Sequence, residues 1–345
     1  MRPSPSERRY NALRSMVDRR LATLVKRGEP RELRDACRYV LSGGGKRVRA
    51  ILALVSCELA GGTARQALNA AAALEILHNF TLVHDDVMDR ADERRGQQTV
   101  HLRWDLNTAI LAGDVLVGFG YRSLLSSAGR RSKDATIAYT DGLVKVCEGQ
   151  ALDLALAKQT AVSPAQYFQM IGKKTAALLA ASAEIGAIVG GATACQRAAL
   201  RRFGYQLGIA FQLQDDLLDV VADQEHLGKP VGGDILERKK TFLLLRAAQL
   251  ATADDAAFLA RVLNSTSDAS PSVLFPGEHL DDATARRRLI DATTAIYRRT
   301  GVLEEAERRI RSTTGVALRA LRSLPAGRPR DMLRWLAEWL VHRAL

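Results

Sequence analysis

Alternation of apolar and polar residues, the mark of a half-buried strand, is missing from this chain. That absence argues against a sheet-based fold and against a strand-turn-helix nucleotide site. No Ser–His–Asp or Cys–His constellation occurs either, so no side-chain nucleophile is indicated. Only four cysteines are present, Cys37, Cys57, Cys147 and Cys195, in apolar contexts and without metal-ligand spacing. They read as reduced core residues of a cytoplasmic protein. No apolar run reaches about 18 residues without a charge, so no stable membrane insertion is expected. The polar, Pro-rich start MRPSPSERRY argues against a signal peptide. RNP, zinc-finger and basic-zipper patterns are also lacking. The net charge of +12 over 345 residues therefore reads as solvated helix surface plus a phosphate site, with no nucleic acid as partner.

What the chain does have is helix. Ala, Leu and Arg dominate, and apolar residues recur at i, i+3 and i+4. The pattern predicts helices over 7–27, 31–41, 45–60, 64–88, 106–127, 133–158, 164–190, 195–221, 236–248, 252–264, 280–299, 301–322 and 329–343. Pro164 after Ser163 marks a helix start, and Pro325 and Pro329 bracket a loop. The most loop-like stretch is Asn264–Gly277, expected as a surface connection. No linker is long enough to divide the chain, so the expectation is one all-α domain over 1–345, a helical bundle around a large central cavity.

The chemistry centres on Leu74–Gly96, LEILHNFTLVHDDVMDRADERRG. Asp85 and Asp89 are four residues apart and share a helix face, with Asp86 to the side. Acids on an otherwise apolar helix are costly to bury unless a cation faces them. Hard carboxylate oxygens one turn apart suit Mg²⁺, which is commonly shared with substrate phosphates. A second copy of the pattern, Asp215, Asp216 and Asp219, lies within FQLQDDLLDV. The two clusters are expected to form two walls of one metal-filled cavity. Cations accompany them. Leu41–Ala50 is a glycine-rich turn carrying Lys46, Arg47 and Arg49, but it is not a Walker A loop, because Arg47 stands where Ser or Thr should be. His78 shares a helix with the first acids, and Arg94-Arg95-Gly96 follows them. Lys173-Lys174-Thr175 is expected at a helix start. Gly228–Thr241 carries Lys229, Asp234 and Lys239 in a glycine-rich loop. Acids for metal, cations for phosphate and apolar walls suit a diphosphate with a greasy tail.

On these motifs the chain resembles the trans-isoprenyl diphosphate synthases, the polyprenyl synthetase family, and in particular its geranylgeranyl diphosphate synthases. The likeness covers nearly the whole sequence. It rests on Gly44-Gly45-Lys46-Arg47-Val48-Arg49, Asp85–Asp89 with Arg94-Arg95-Gly96, Lys174-Thr175, Phe211–Asp219, and Gly228-Lys229 with Asp234, Lys239 and Thr241. The resemblance implies that Asp85, Asp86, Asp89, Asp215 and Asp219 hold magnesium, about three ions per active site. It implies that Lys46, Arg49, His78 and Arg95 hold isopentenyl diphosphate. Arg94, Lys174, Thr175, Gln212, Lys229 and Lys239 would then hold the allylic diphosphate. The implied catalytic set is Asp85, Asp86, Asp89, Arg94, Lys174, Asp215 and Lys239, acting by ionisation, condensation and elimination.

The resemblance also points to a homodimer, with the broad apolar faces at Ala109–Leu125 and Val144–Leu156 as the surface to be covered. Phe80 and Thr81, five and four residues before Asp85, are the expected chain-length residues. An aromatic at the fifth position with a small residue at the fourth matches twenty-carbon synthases, and Phe119 could form a different floor. Farnesyl or longer products, a terpene cyclase and a noncatalytic subunit of a heteromeric synthase are the alternatives. The cyclase lacks a reason to keep the Gly44–Arg49 turn, and the subunit lacks a reason to keep both acid clusters.

Overall fold

A computed structural model describes residues 4–26, 28–127, 129–221, 232–266 and 269–341. The all-α expectation holds. Sixteen helices can be followed in the described residues: α1 (Pro5–Leu24), α2 (Arg31–Ser42), α3 (Val48–Leu59), α4 (Ala64–Met88), α5 (Val100–Arg103), α6 (Leu106–Leu125), α7 (Ser132–Ala157), α8 (Pro164–Ile171), α9 (Ala177–Gly190), α10 (Ala194–Val221), α11 (Gly233–Leu236), α12 (Phe242–Leu250), α13 (Ala253–Asn264), α14 (Asp282–Thr300), α15 (Val302–Ala320) and α16 (Arg328–Val341). Their starts follow sequence chemistry. Ser4, Thr63 and Ser163 each close a capping box with a Glu or Gln three residues on, and Pro164 sits in the first turn of α8. The one pair of strands among the described residues is a hairpin of two residues each, β1 (Glu93–Arg94) and β2 (Gln97–Gln98).

Contacts group the chain into two compact units. The first comprises Met1–Cys147, Ala176–Tyr205 and Ala317–Leu336, and the second Glu148–Thr175, Gln206–Val316 and Ala337–Leu345. In the first unit α3, α4 and α9 are apolar nearly all round, as a helix must be when neighbours cover every face. Every residue from Ala50 to Cys57 on α3 is buried, and so is the run Ala70–Leu77 on α4. Glycine sets how close these helices come. A Cβ on Gly186 of α9 would meet the Ala53 carbonyl oxygen at 2.1 Å, and one on Gly190 would meet the Cys57 oxygen at 2.4 Å. The same holds around α6, where His84 of α4 occupies the space beside Gly113 and the hydroxyl of Tyr139 of α7 the space beside Gly120. In the second unit the core gathers Tyr167, Phe242, Leu213, Leu217, Leu289 and Tyr297. Arg309 lies over the rings of Phe168 and Phe242, 5.6 and 5.0 Å from their centroids.

Several sequence expectations need correction. Cys37 and Cys57 are buried, but Cys147 and Cys195 are exposed. Cys195 sits in the first turn of α10, and Cys147 lies on α7 near enough to Asp85 for burial and then that carboxylate to raise its pKa, so apolar neighbours in sequence are not the neighbours in space. The predicted helix 236–248 is two pieces, α11 and α12, because the chain leaves the helix at Arg238, with φ +53°. The stretch Asn264–Gly277 is not all surface: Pro271–Leu274 forms a 3₁₀ turn, and Leu274 is 2% exposed. Finally, α6 is long and apolar enough to cross a membrane by length and composition. It nonetheless carries Asp114 and Arg122, and it packs on α4 through Gly113 and Gly120. Its outer residues Leu106, Ile110, Leu111 and Leu125 stay exposed.

The glycine contacts make a direct prediction. Gly186→Ala should destabilise the fold by about 1–3 kcal/mol or more, since backbone rather than a movable side chain blocks the new methyl group. Gly142→Ala, whose Cβ would meet only the Ala181 Cβ at 3.1 Å, should cost less. Urea unfolding of the two variants ranks them, and equal losses would show that helix separation is not set at Gly186.

Candidate functional site

In the first unit the functional residues are assembled by three left-handed backbone positions and a hairpin. Gly44, Gly45 and Arg47 have φ of +70°, +124° and +50°. At Gly45 a side chain is excluded twice, by that angle and by the Arg95 guanidinium 3.1 Å from where its Cβ would stand. Arg95 and Gly96 are the two central residues of the β1–β2 turn, with φ of +55° and +71°. Positive φ at both central residues is the type I′ form of a two-residue hairpin turn, which explains the glycine in Arg94-Arg95-Gly96. From the hairpin tip Arg95 Nη1 donates to the Gly44 carbonyl at 2.7 Å. Arg47 does not face outward with its neighbours. It is buried, donating to Asp18 Oδ1 at 2.8 Å and the Leu41 carbonyl at 2.9 Å, with Glu75 Oε2 at 3.5 Å. It anchors the turn, as does the Tyr10 hydroxyl, which donates to the Lys46 carbonyl. Lys46 itself is exposed.

Electrostatics show what this assembly brings together. His78 is held neutral, its pKa pushed well below the ordinary value by burial and then by Arg49, Arg95, Arg94 and Arg47. Arg49, His78, Arg94 and Arg95 are thus gathered as the sequence suggested. Of the acids, Asp86 is buried and accepts from Arg94 Nε at 2.5 Å. Burial raises its pKa, and Arg94 opposes that shift. The cation expected opposite the acids is therefore Arg94. Asp85 is half-buried, and Asp89 ends α4 in the open. Phe80 is buried, with its ring against that of His84, while the Thr81 hydroxyl bonds back to the His78 carbonyl.

The second unit holds the other set. Lys174 is not at a helix start: residues Gly172–Ala176 form a π-helical turn between α8 and α9, a distortion common at functional sites. Gly149 admits this wider turn, since its Cβ would lie 2.2 Å from the Lys174 backbone nitrogen. Lys174 Nζ donates to Asp153 Oδ2 at 2.6 Å, and the Thr175 hydroxyl donates to Gln212 Oε1 at 2.8 Å. Gln212 Nε2 passes a bond to Asp216 at 2.9 Å, and the Tyr167 hydroxyl donates to the other Asp216 oxygen at 2.5 Å. Burial and then Asp234 raise Asp216 well above the carboxylate range. Asp219 is raised to about 6 by the same two causes in the same order, and its Oδ2 accepts from the Asp234 backbone at 2.9 Å. Burial works against charge on Lys239, but Asp234 and Glu237, 3.1 and 2.7 Å away, more than offset it and raise its pKa. Asp215 is exposed. Gly228 and Lys229 lie outside the described residues.

Asp153, Tyr167 and Glu237 were not singled out from sequence. Gly149-Gln150 ahead of Asp153 was the available signal for one of them; nothing marks Tyr167. Among the described residues no three His, Cys, Asp or Glu side chains are grouped to hold a metal by themselves. The donors are carboxylate oxygens, which fit Mg²⁺ held by one or two carboxylates together with substrate oxygens, and not a softer ion. Asp86 and Asp216, each satisfied by protein donors, fit a supporting role. Asp85, Asp89, Asp215 and Asp219, each more exposed than the middle aspartate of its motif, fit as ligands, Asp219 while also accepting from the Asp234 backbone.

Comparison with known proteins identifies the family. The profile of the polyprenyl synthetase family matches residues 30–274. The chain belongs to that family. It is 36% identical over 329 residues, 95% of each chain, to the short chain isoprenyl diphosphate synthase of Methanothermobacter thermautotrophicus. Among solved structures it is similar to geranylgeranyl pyrophosphate synthetase from Pyrococcus horikoshii, with TM-score 0.86 and 33% identity over 97% of this chain and 100% of that one. It is also similar to the polyprenyl synthase from Caulobacter crescentus in complex with calcium and isoprenyl diphosphate, with TM-score 0.84 and 29% identity over 98% and 97%. The family is one of prenyltransferases.

A pH prediction follows from Asp219. Its folded pKa lies above the unfolded value of 3.8, so the fold binds the proton more tightly. The stability this contributes is full below pH 3.8 and is lost as pH rises through about 6. In metal-free protein, Asp219→Asn should therefore flatten the fall in melting temperature across that window. Parallel curves for both proteins would remove the basis for a raised Asp219.

Proposed function

We propose that this protein condenses isopentenyl diphosphate with an allylic diphosphate, head to tail, to give geranylgeranyl diphosphate. The observation that carries the reading is the gathering of Arg49, Arg94 and Arg95 around a neutral His78, beside the first aspartate cluster. Such a set suits a diphosphate, because guanidinium groups grip its oxygens in pairs while a neutral imidazole adds a hydrogen bond without repelling the arginines. Lys46, Arg49, His78 and Arg95 bind and orient isopentenyl diphosphate. Arg94, Lys174 and Lys239, with Thr175 and Gln212, hold the allylic diphosphate, and Lys229 joins them by its place in the motif.

Magnesium, when bound, supplies charge that stabilises the departing diphosphate. Asp85, Asp89, Asp215 and Asp219 would hold it, with Asp86 in support. The cations take up the negative charge that develops on the leaving oxygen. As the allylic carbon–oxygen bond breaks, the isopentenyl double bond forms the new carbon–carbon bond. A proton is then lost, and the diphosphate just released is the nearest base. Apolar residues keep water from the cation. The twenty-carbon product rests on Phe80 and Thr81, and the Pyrococcus relative of that name supports it.

Incubation with isopentenyl diphosphate, Mg²⁺ and each allylic primer in turn, followed by sizing of the product, tests the function. Chelation should abolish turnover, and Asp85→Ala or Asp215→Ala should each remove roughly 3–4 kcal/mol of transition-state stabilisation. Lys46→Ala should chiefly raise KM for isopentenyl diphosphate, and Lys239→Ala should hurt the allylic partner, each by roughly 1.5–3 kcal/mol. No product from any primer in the parent, or full turnover in Asp85→Ala or Asp215→Ala with Mg²⁺ present, would rule the reading out.

We also infer a homodimer. Leu106, Ile110, Leu111 and Leu125 of α6 and Ile137 and Val144 of α7 are exposed apolar side chains at 40–55% exposure, more than a lone chain leaves in water without reason. Sedimentation at micromolar concentration should show a dimer, and Leu111→Glu should weaken it. A monomer would refute the assignment.

A further inference from the structure

His84 stands between Asp85 and the residue expected to limit the product, yet neither motif includes it. Its imidazole enters a slot that exists only because residue 113 is glycine. A Cβ there would lie 2.1 Å from Nε2 and 2.5 Å from Cδ2. Nε2 is 3.0 Å from the Ile110 carbonyl oxygen, and since a carbonyl can only accept, this nitrogen carries the proton. Asp114 Oδ1 lies 4.0 Å away on the outer side. The ring is thus fixed to the α6 backbone on one face.

Its other side meets Phe80, one turn earlier on α4. The two rings are 4.9 Å apart and inclined at 68°, an edge-to-face contact. Phe80 is 8% exposed. Thr81 lies about 100° further round the helix, on the face of Asp85, so Phe80 and His84 form a separate aromatic pair against α6. A side chain that stops a growing apolar tail must resist being pushed into another staggered rotamer, and a phenylalanine with no support behind it would yield.

We propose that His84 is a positioning residue for product length: held between the bare backbone of Gly113 and the Ile110 carbonyl, its imidazole keeps the Phe80 ring in place against the growing tail. This rests on the reading that Phe80 closes the space for the tail. His84 touches no diphosphate in this role and takes no part in bond making. The pair explains why a single aromatic on a helix can act as a fixed stop, and it places the rigidity in α6 rather than in Phe80 itself.

The test is the product profile of the full-length enzyme with farnesyl diphosphate as primer and excess isopentenyl diphosphate. Phe80→Ala, His84→Ala and the double variant are compared, with thermal melts as a check on folding. His84→Ala should lengthen the main product by at least one five-carbon unit, as Phe80→Ala does, and the double variant should go no further than Phe80→Ala. If His84→Ala yields too little active enzyme, His84→Ser is judged by the same criterion. An unchanged profile in the His84 variant beside a lengthened one in Phe80→Ala overturns the inference alone. A double variant longer than either single one overturns it as well, since the two residues would then act separately. Lengthening in the His84 variant only makes His84 itself the stop and also overturns the positioning role. No lengthening in Phe80→Ala or in the His84 variant removes Phe80 as the stop, and with it the reading on which the inference stands.

Discussion

Burying a carboxylate on an apolar helix is the constraint from which much of this molecule follows. A bare charge in such a place would cost several kcal/mol, so each buried acid comes with its donor. Glu75 has Arg47 and the Ala50 backbone N–H; Asp86 has Arg94; Asp216 has Tyr167 and Gln212. These pairings divide the aspartates of each motif into two kinds. The middle aspartate is buried and tied to the protein, while the outer two of each motif are more exposed.

The basic groups obey the converse rule. Arginines gathered together repel one another, and burial first, then that repulsion, depresses His78 and Arg95. A protein that keeps Arg49, Arg94 and Arg95 together in spite of it is prepared for an anion that relieves the strain on arrival. The arrangement is stiffened from behind. Arg47, itself a member of the basic run, is spent on Asp18, Leu41 and Glu75 and holds the Gly44–Gly45 turn on which Arg95 rests. Four residues that read alike in sequence as cations therefore divide into an anchor and the groups it supports.

Periodicity made most of the helices legible, because an amphipathic or wholly apolar stripe and a capping residue are local facts. The acid clusters were legible for the same reason: spacing on one helix fixes a shared face. What escaped the sequence reading was everything that depends on a second element. The π-helical turn at Lys174 exists because Gly149 of another helix leaves room for it. The Arg95-Gly96 hairpin is too short for any strand period to show. Tyr167 looks like one more core aromatic until Asp216 is brought against its hydroxyl. Cys147 and Cys195 misled in the opposite sense, since apolar sequence neighbours were read as a buried environment.

Glycine is where these two levels meet. In sequence Gly113, Gly149 and Gly186 are helix weaknesses, each worth about 1 kcal/mol against alanine. In the fold each is a point where another group occupies the space of the missing Cβ: an imidazole at Gly113, a backbone nitrogen at Gly149 and a carbonyl at Gly186. The loss in helix propensity is offset by contacts that no side chain would permit. Two of the three contacts bear on residues with assigned roles, Lys174 through the π-helical turn and Phe80 through His84. On the proposed roles of Lys174 and Phe80, helix packing and substrate handling share one steric device, and an alanine placed to strengthen one of these helices meets the group that fills the glycine's space.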